Sequence, residues 1–344
     1  LAFVIRPIET ADLAALMTIA QESGAGFTSL PPDKNFLKQR IELSQASFAK
    51  QVSKAGGERY LFVMQDVASG EVMGTSAIEA CVGLHSPLFH HRLGRQVHHV
   101  ESLGLSRELH TLTLCNDLQG TSEVCSLFLR PKFRQSGVGR ALSRFRFLFM
   151  AQHPHRFSDR VIAEMRGHTD DNDHSHFWSW FETHFCPLTF TQVDKLIGLG
   201  DMRFAHMMPK HPIYLSLLPK EAQLNINQVH PNTQGAVNLL LAEGFHRSDY
   251  IGVNDAGPAL VAPLDAIETV RQSHLAKVKI VDEVERPQQV LLCNPDSAGF
   301  RAAQLSVEVH PDKVLMDSTD AKALKVSAGD CVRWCFAQTK REES

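Results

Sequence analysis

Residues 122–142 read Ser-Glu-Val-Cys-Ser-Leu-Phe-Leu-Arg-Pro-Lys-Phe-Arg-Gln-Ser-Gly-Val-Gly-Arg-Ala-Leu. The first part alternates as a strand: Val124, Ser126 and Phe128 share one side, and Cys125, Leu127 and Leu129 the other. Pro131 has no N–H to donate and ends it. Arg134-x-x-Gly137-x-Gly139 then opens a helix, and Ala141, Leu142, Phe145, Leu148 and Phe149 give that helix one buried face. Two glycines at a helix start let a ligand approach the backbone closely. The unpaired N–H groups there bind anions, aided by the helix dipole. Arg130, Lys132, Arg134, Arg140 and Arg144 add positive charge around the turn. The ligand that suits it is a pyrophosphate. No Gly-Lys-Ser/Thr follows, so this is not a Walker A loop, and the third glycine of a dinucleotide fingerprint is missing.

At 344 residues the chain predicts one large unit and a smaller one, and a hydrophobic fraction of 43% suffices for a packed core. A net charge of −3 gives no overall basic field for nucleic acid or an anionic membrane. The local cationic cluster suits a small anion. The seven cysteines are scattered and read as free thiols in a reducing cytosol. Cys331-x-x-x-Cys335 lacks the second pair that would support zinc. No stretch approaches the roughly 18 apolar residues of a spanning helix, and no signal-peptide pattern opens the chain. These features predict a soluble, cytoplasmic protein.

Taken in order, a strand at 3–6 precedes a helix at 11–23 capped by Thr10 and a second helical region at 32–55. Runs at 60–65 and 71–81 form a hairpin. Residues 84–108, with His85, His90, His91, His98 and His99, read as an exposed polar insertion. No cysteine or spaced carboxylate completes a metal set there. Strands follow at 109–115 and 160–166. Asp170, Asp171, Asp173, His174 and His176 lie in one loop without calcium-loop spacing, which reads as a solvated turn. An aromatic helix is expected at 177–185, a helix capped by Asn232 at 232–242, and a strand at 245–253. Short alternating runs at 289–293, 303–309 and 331–336 suggest a small β-rich unit, a barrel.

The strand, the Arg-x-x-Gly-x-Gly turn and the amphipathic helix resemble the acyl-CoA-binding segment of the GNAT acyltransferases. The opening strand, two helices and hairpin resemble the start of that fold. The resemblance narrows over further stretches: Thr28-Ser29-Leu30-Pro31, Ala77-Ile78-Glu79, Ser122-Glu123-Val124-Cys125, Ala163-Glu164-Met165-Arg166-Gly167, Met208-Pro209-Lys210-His211-Pro212-Ile213-Tyr214, Gln228-Val229-His230-Pro231 and Ala256-Gly257-Pro258. Together they resemble the arginine N-succinyltransferase family of bacterial arginine catabolism, in order and over nearly the whole chain. The implied fold is α/β (α+β), a GNAT-like mixed and splayed β-sheet flanked by helices, with a small C-terminal β-rich unit. The implied division is 1–190 as the acyl-CoA-binding core, 191–277 as a second, partly GNAT-like segment carrying His230, and 278–344 as the β-rich unit.

The implied activity transfers the succinyl group of succinyl-CoA to the α-amino group of L-arginine, giving Nα-succinylarginine and CoA. Succinyl-CoA is a co-substrate, and no resident cofactor or metal is expected. By resemblance His230 is the proton donor and Leu127 binds succinyl-CoA. Leu129, Arg134, Gly137, Gly139 and Arg140 complete the predicted CoA site. A guanidinium calls for carboxylates, and Glu79, Glu123, Glu164 and Asp117 lie at or near strand ends. Arg166 and Lys210 are candidates for the succinyl carboxylate. Cys125 sits mid-strand among apolar residues, which favours direct attack over an acyl-enzyme. Ornithine is an alternative acceptor, and a non-catalytic acyl-CoA sensor is the alternative from another class. Related enzymes suggest a homo-oligomer; neither nucleic acid nor membrane is an expected partner.

Overall fold

The computed structural model describes residues 2–24, 28–170 and 172–338. The chain opens with β1 (Phe3–Pro7), α1 (Leu13–Glu22), α2 (Lys34–Ala49), β2 (Arg59–Asp66) and β3 (Val72–Glu79). Glu9 and Asp12 cap the turn before α1 reciprocally, in place of Thr10. Asp33 accepts from the Phe36 N–H to start α2, which ends at Ala49 rather than near 55 because Lys50 is already extended.

The middle of the chain supplies β4 (His90–Val100), β5 (Leu105–Cys115), β6 (Ser122–Leu129), α3 (Val138–Gln152), β7 (Arg160–Glu164), α4 (His176–His184) and α5 (Phe190–Gly198). It continues through β8 (Ile213–Tyr214), α6 (Lys220–Asn225), α7 (Gln234–Ala242), β9 (His246–Gly252), β10 (Pro258–Pro263) and α8 (Glu268–Arg271). The last elements are β11 (His274–Ile280), β12 (Gln288–Cys293), β13 (Ala302–Val309), β14 (Lys313–Met316), α9 (Ser318–Ala323) and β15 (Cys331–Phe336).

The fold is mixed α/β. One sheet runs in the order β1-β2-β3-β6-β7-β10-β9-β4-β5-β8, so residues 191–277 share it with residues 1–190. Its pairs are antiparallel except β6 with β7, which α3 joins as a crossover. The β6–β7 ladder has two registers, Ser122 with Val161 and Glu123 with Ile162.

The insertion expected over 84–108 is instead a long hairpin, β4 with β5, paired from His90–Cys115 to Val100–Leu105. Its base joins β9 and β8. Val97, Val100, Leu103 and Leu105 stand exposed beyond. His90 and His91 are not exposed but buried, because they lie at the base. His91 stacks on Phe181 at 5.2 Å, and burial pushes its ring down to about 3.

Strands β12-β15-β11-β14-β13 follow one another, and β13 pairs back to β12, closing a five-stranded barrel. Val278, Val290, Leu292, Leu305, Val314 and Trp334 fill it. Its alternation was readable at β12, β13 and β15 but not in β11 or the short β14. One register between Ile5 and Ala302 joins barrel to sheet.

Helix α3 lies between the two, and every residue from 141 to 151 is buried. The single apolar face expected from sequence is therefore too little, since sheet and barrel cover opposite sides. Arg144 belongs to this interior rather than to the cationic turn. Its Nε lies 2.9 Å from Glu243 Oε1, and its Nη1 donates to the carbonyls of Phe336 and Ala337. Among the described residues no helix is long and apolar enough to cross a membrane.

Candidate active site

Glu79 ends β3, Glu123 is its register partner in β6, and Glu164 ends β7. Glu123 pairs with Ile162, and Glu164 lies two residues on, so neighbouring strands present these carboxylates on one face. All three line a cavity of about 240 Å³ with Arg40, Arg59 and Arg166. Burial raises the carboxyls of Glu79 and Glu123. Repulsion from Glu164 and Glu79 lifts Glu123 further, well above the usual carboxylate range, although Arg59 opposes it. Arg59 Nη2 lies 3.0 Å from Glu79 Oε2, and Arg40 Nη1 lies 3.7 Å from Glu79 Oε1. His90 Nε2 approaches Glu164 Oε1 to 2.7 Å. Asp255 has a structural task on the same wall, accepting from the N–H groups of Gly167 and Gly257 at 2.6 and 2.9 Å. A Cβ on Gly257 would stand 2.0 Å from the Met165 carbonyl oxygen, so only glycine allows this approach.

Of the site residues expected from sequence, these three carboxylates come together in the cavity. Asp117 does not join them; it pairs with Arg92 and accepts from the Tyr250 hydroxyl. Sequence reasoning missed Arg40, Arg59 and His90. An arginine on a half-exposed helix or strand start carries no local signal, and His90 sat in a segment read as insertion.

The neighbouring part of β6 is bent. Thr75 pairs with Phe128 and Ala77 with Cys125, leaving Ser126 and Leu127 opposite Ser76. Ser126 has φ of 50°, and its hydroxyl donates to Ser29 Oγ at 2.9 Å. This is a bulge, which re-aims the backbone of Ser126 and Leu127. Leu127 and Leu129 pack half-buried against the main core. Arg134 Nε donates to the Leu129 carbonyl at 3.1 Å, and its guanidinium lies 5.7 Å from the Phe128 ring centre. Gly137, at φ of 87°, caps α3, with open space where a Cβ would stand. Gly139 lies in the first turn, and Arg140 is exposed.

The cationic turn is thinner than its sequence. Arg130 is held by Glu22 and Glu71, and Lys132 by Glu71. With Arg144 buried elsewhere, Arg134 and Arg140 are the cations of this turn free of ion pairs among the described residues.

His230 precedes a 3-10 turn, Pro231–Thr233, and caps it. Its Nδ1 accepts from the Asn232 N–H at 3.2 Å, and its own N–H donates to the Arg166 carbonyl at 2.9 Å. Asn232 is thus not the cap that its sequence suggests, and α7 starts at Gln234. Burial and the Arg166 charge lower the His230 pKa, with Asp173 opposing. His230 is not among the cavity's lining residues; it adjoins the cavity through Arg166. Arg166 itself donates to Asp173 at 2.8 Å. Lys210 lies off the cavity, its Nζ donating to the Ala205 carbonyl at 3.4 Å.

Cys125 lines the cavity, but burial, Glu123 and Glu79 push its thiol well up, against a nucleophilic thiolate. Asp170, His174 and His176 offer ligand atoms within 4.8 Å of one another. Asp170 Oδ1 accepts from the N–H groups of Asn172 and His174. Asp171 of the same loop lies outside the described residues.

Residues 3–269 match the family described as arginine N-succinyltransferase beta subunit, and residues 274–335 match its C-terminal domain. Over 334 residues, 96% of each chain, the sequence is 40% identical to the arginine N-succinyltransferases of Salmonella schwarzengrund (strain CVM19633) and Salmonella agona (strain SL483). The solved structure of arginine/ornithine succinyltransferase subunit AI from Pseudomonas aeruginosa is similar with a TM-score of 0.88 at 37% identity, covering 98% of this chain and 99% of that one. The chain belongs to the arginine N-succinyltransferase family of acyltransferases.

Proposed function

We propose that this chain transfers the succinyl group of succinyl-CoA to the α-amino group of L-arginine, releasing Nα-succinylarginine and CoA. The observation that carries the acceptor is the trio Glu79, Glu123 and Glu164 on one cavity wall. Crowded, partly desolvated carboxylates repel one another, and a guanidinium relieves that repulsion while donating paired hydrogen bonds to them.

The donor site is GNAT-like. Support comes from the short β6–β7 ladder, which leaves backbone of both strands free to flank a pantetheine arm. The pyrophosphate sits at the start of α3, where Gly137 and Gly139 open the backbone and Arg134 and Arg140 supply charge. The Leu127 N–H, re-aimed by the bulge, holds the thioester oxygen as it becomes negative.

In the reaction the α-ammonium of arginine loses one proton to solvent and attacks the thioester carbon as the neutral amine. A C–N bond forms, the C–S bond breaks, and the thiolate leaves. The bond accepted at Nδ1 favours the His230 tautomer with its proton on Nε2. That N–H donates to the departing thiolate, and the second proton, released by the nitrogen as the amide forms, ends on sulfur as the CoA thiol. The thioester supplies the activated acyl group, so the step calls for no resident cofactor.

Ornithine as an additional acceptor rests on one observation, that the Pseudomonas aeruginosa relative is named arginine/ornithine succinyltransferase. CoA release, followed as free thiol, tests both readings. Turnover of succinyl-CoA with arginine supports the proposal, and turnover with ornithine as well broadens the acceptor. No release with either amine would overturn it.

A further inference from the structure

The succinyl group ends in a free carboxylate, and a transferase that prefers it over a neutral acyl chain needs cations at that end. Of the two candidates from sequence, Lys210 lies off the cavity, and Arg166 lines it but is held by Asp173 and is absent from the smaller cavity that adjoins it. A different pair is placed for the task. Arg40 projects from α2 and Arg59 from the start of β2, and both line the carboxylate cavity. With Glu79 they also line a smaller adjoining cavity, whose other walls include Ser29, Cys125 and Ser126. That cavity, of about 20 Å³, therefore has both the β6 bulge, where the thioester is placed above, and the two guanidinium groups in its walls.

The charge count at this corner is uneven. Two guanidinium groups face the single carboxylate of Glu79, at 3.0 and 3.7 Å. Arg59 is ion-paired with Glu79 at 3.0 Å, whereas Arg40, at 3.7 Å, makes no hydrogen bond among the described residues; the two side chains are 31% and 20% exposed. The Arg40 guanidinium therefore has donors open to a further acceptor. The Arg40 guanidinium lies 4.7 Å from the centre of the Phe36 ring, which orients it in advance. The carboxylates of Glu123 and Glu164 stand on the other side of Glu79, on β6 and β7, and do not line the smaller cavity. The smaller cavity thus presents the two cations apart from Glu123 and Glu164, although all of these residues line the larger one.

We infer that Arg40 and Arg59 hold the free carboxylate of the succinyl group and so select a dicarboxylic acyl donor. The inference rests on the succinyl transfer proposed above. Glu79 lies between the two charge sets and keeps them from exchanging substrates.

Calorimetric binding of succinyl-CoA and of butanoyl-CoA, its uncharged counterpart of the same chain length, tests the pair without turnover. Arg40→Gln and Arg59→Gln are each expected to weaken succinyl-CoA about 10- to 100-fold, the range of a lost charge-assisted hydrogen bond. Butanoyl-CoA should bind each variant within about twofold of the unaltered protein, which also reports that the variant is folded. Arg40→Lys keeps the charge without the fork and should fall between. Equal weakening of both ligands, or no weakening of succinyl-CoA, would overturn the inference. Turnover of the unaltered protein with arginine reads separately on the activity. Selective binding without turnover would sustain the carboxylate cradle and sink the transferase reading; turnover without selectivity would do the reverse.

Discussion

His90 Nε2 lies 2.7 Å from Glu164 Oε1, with the ring wholly buried. The base of the β4–β5 hairpin thereby reaches a carboxylate of the cavity and limits the positions open to it. Replacing the ring with an apolar side chain leaves Glu164 without this neighbour. His90→Leu is expected to raise the KM for arginine about tenfold and to leave that for succinyl-CoA nearly unchanged. Steady-state kinetics with each substrate varied in turn checks this. A rise in both would show a general disturbance of the fold.

Arg134 is tied to the Leu129 carbonyl and carries no ion pair among the described residues. Arg134→Glu places a negative charge where the pyrophosphate is proposed to sit. The KM for succinyl-CoA should rise at least about 30-fold, since about 2 kcal/mol or more of charge-assisted bonding is reversed. The KM for arginine should stay within about twofold. Equal effects on the two constants would remove the turn from the CoA site.

His230 has its pKa lowered by burial and by Arg166, so it loses its extra proton below the ordinary value of 6.5. If the neutral ring is the working form, activity falls on the acid side only below that pH. Asp173 acts in the opposite direction, and Asp173→Asn should therefore move the acid limb of kcat/KM lower still. His230→Ala should lower kcat about 100-fold or more with little change in either KM. An acid limb that stays in place in the alanine variant would assign it to another group.

Arg144 and Glu243 form a buried pair, with side chains 4% and 6% exposed. Arg144→Met leaves the Glu243 charge without its partner and should cost about 3–5 kcal/mol of stability. Adding Glu243→Leu should recover much of the loss. Urea unfolding of the three proteins gives the comparison, and a single variant as stable as the original would show that the pair contributes nothing.

Much of the site lay within short reach of the sequence. The alternation of 124–129, the proline and the paired glycines are local signals, and they place β6, its turn and the start of α3. Glu79, Glu123 and Glu164 were candidates, with Asp117, because they lie at or near strand ends, and the structure brings the three glutamates to one cavity. The bulge at Ser126 was not legible, since a single left-handed residue leaves no mark on the hydrophobic pattern. The burial of Arg144 escaped for a related reason: its partner, Glu243, comes from α7, far along the chain. The hairpin over 90–115 escaped because outside its base neither face is covered, so selection for burial imposes no alternation. His90 at that base was lost with it.

The register between Ile5 and Ala302 also bears on how the molecule comes into being. These strands lie near opposite ends of this sequence, yet they are neighbours. During synthesis β1 must wait for β13 before that edge is covered, and β2 can shield only its other side. Contacts of such long separation form late and slowly. A growing polypeptide therefore carries β1 with an open edge until β13 has emerged, and the docking of Ala302 against Ile5 is the contact that begins to cover it.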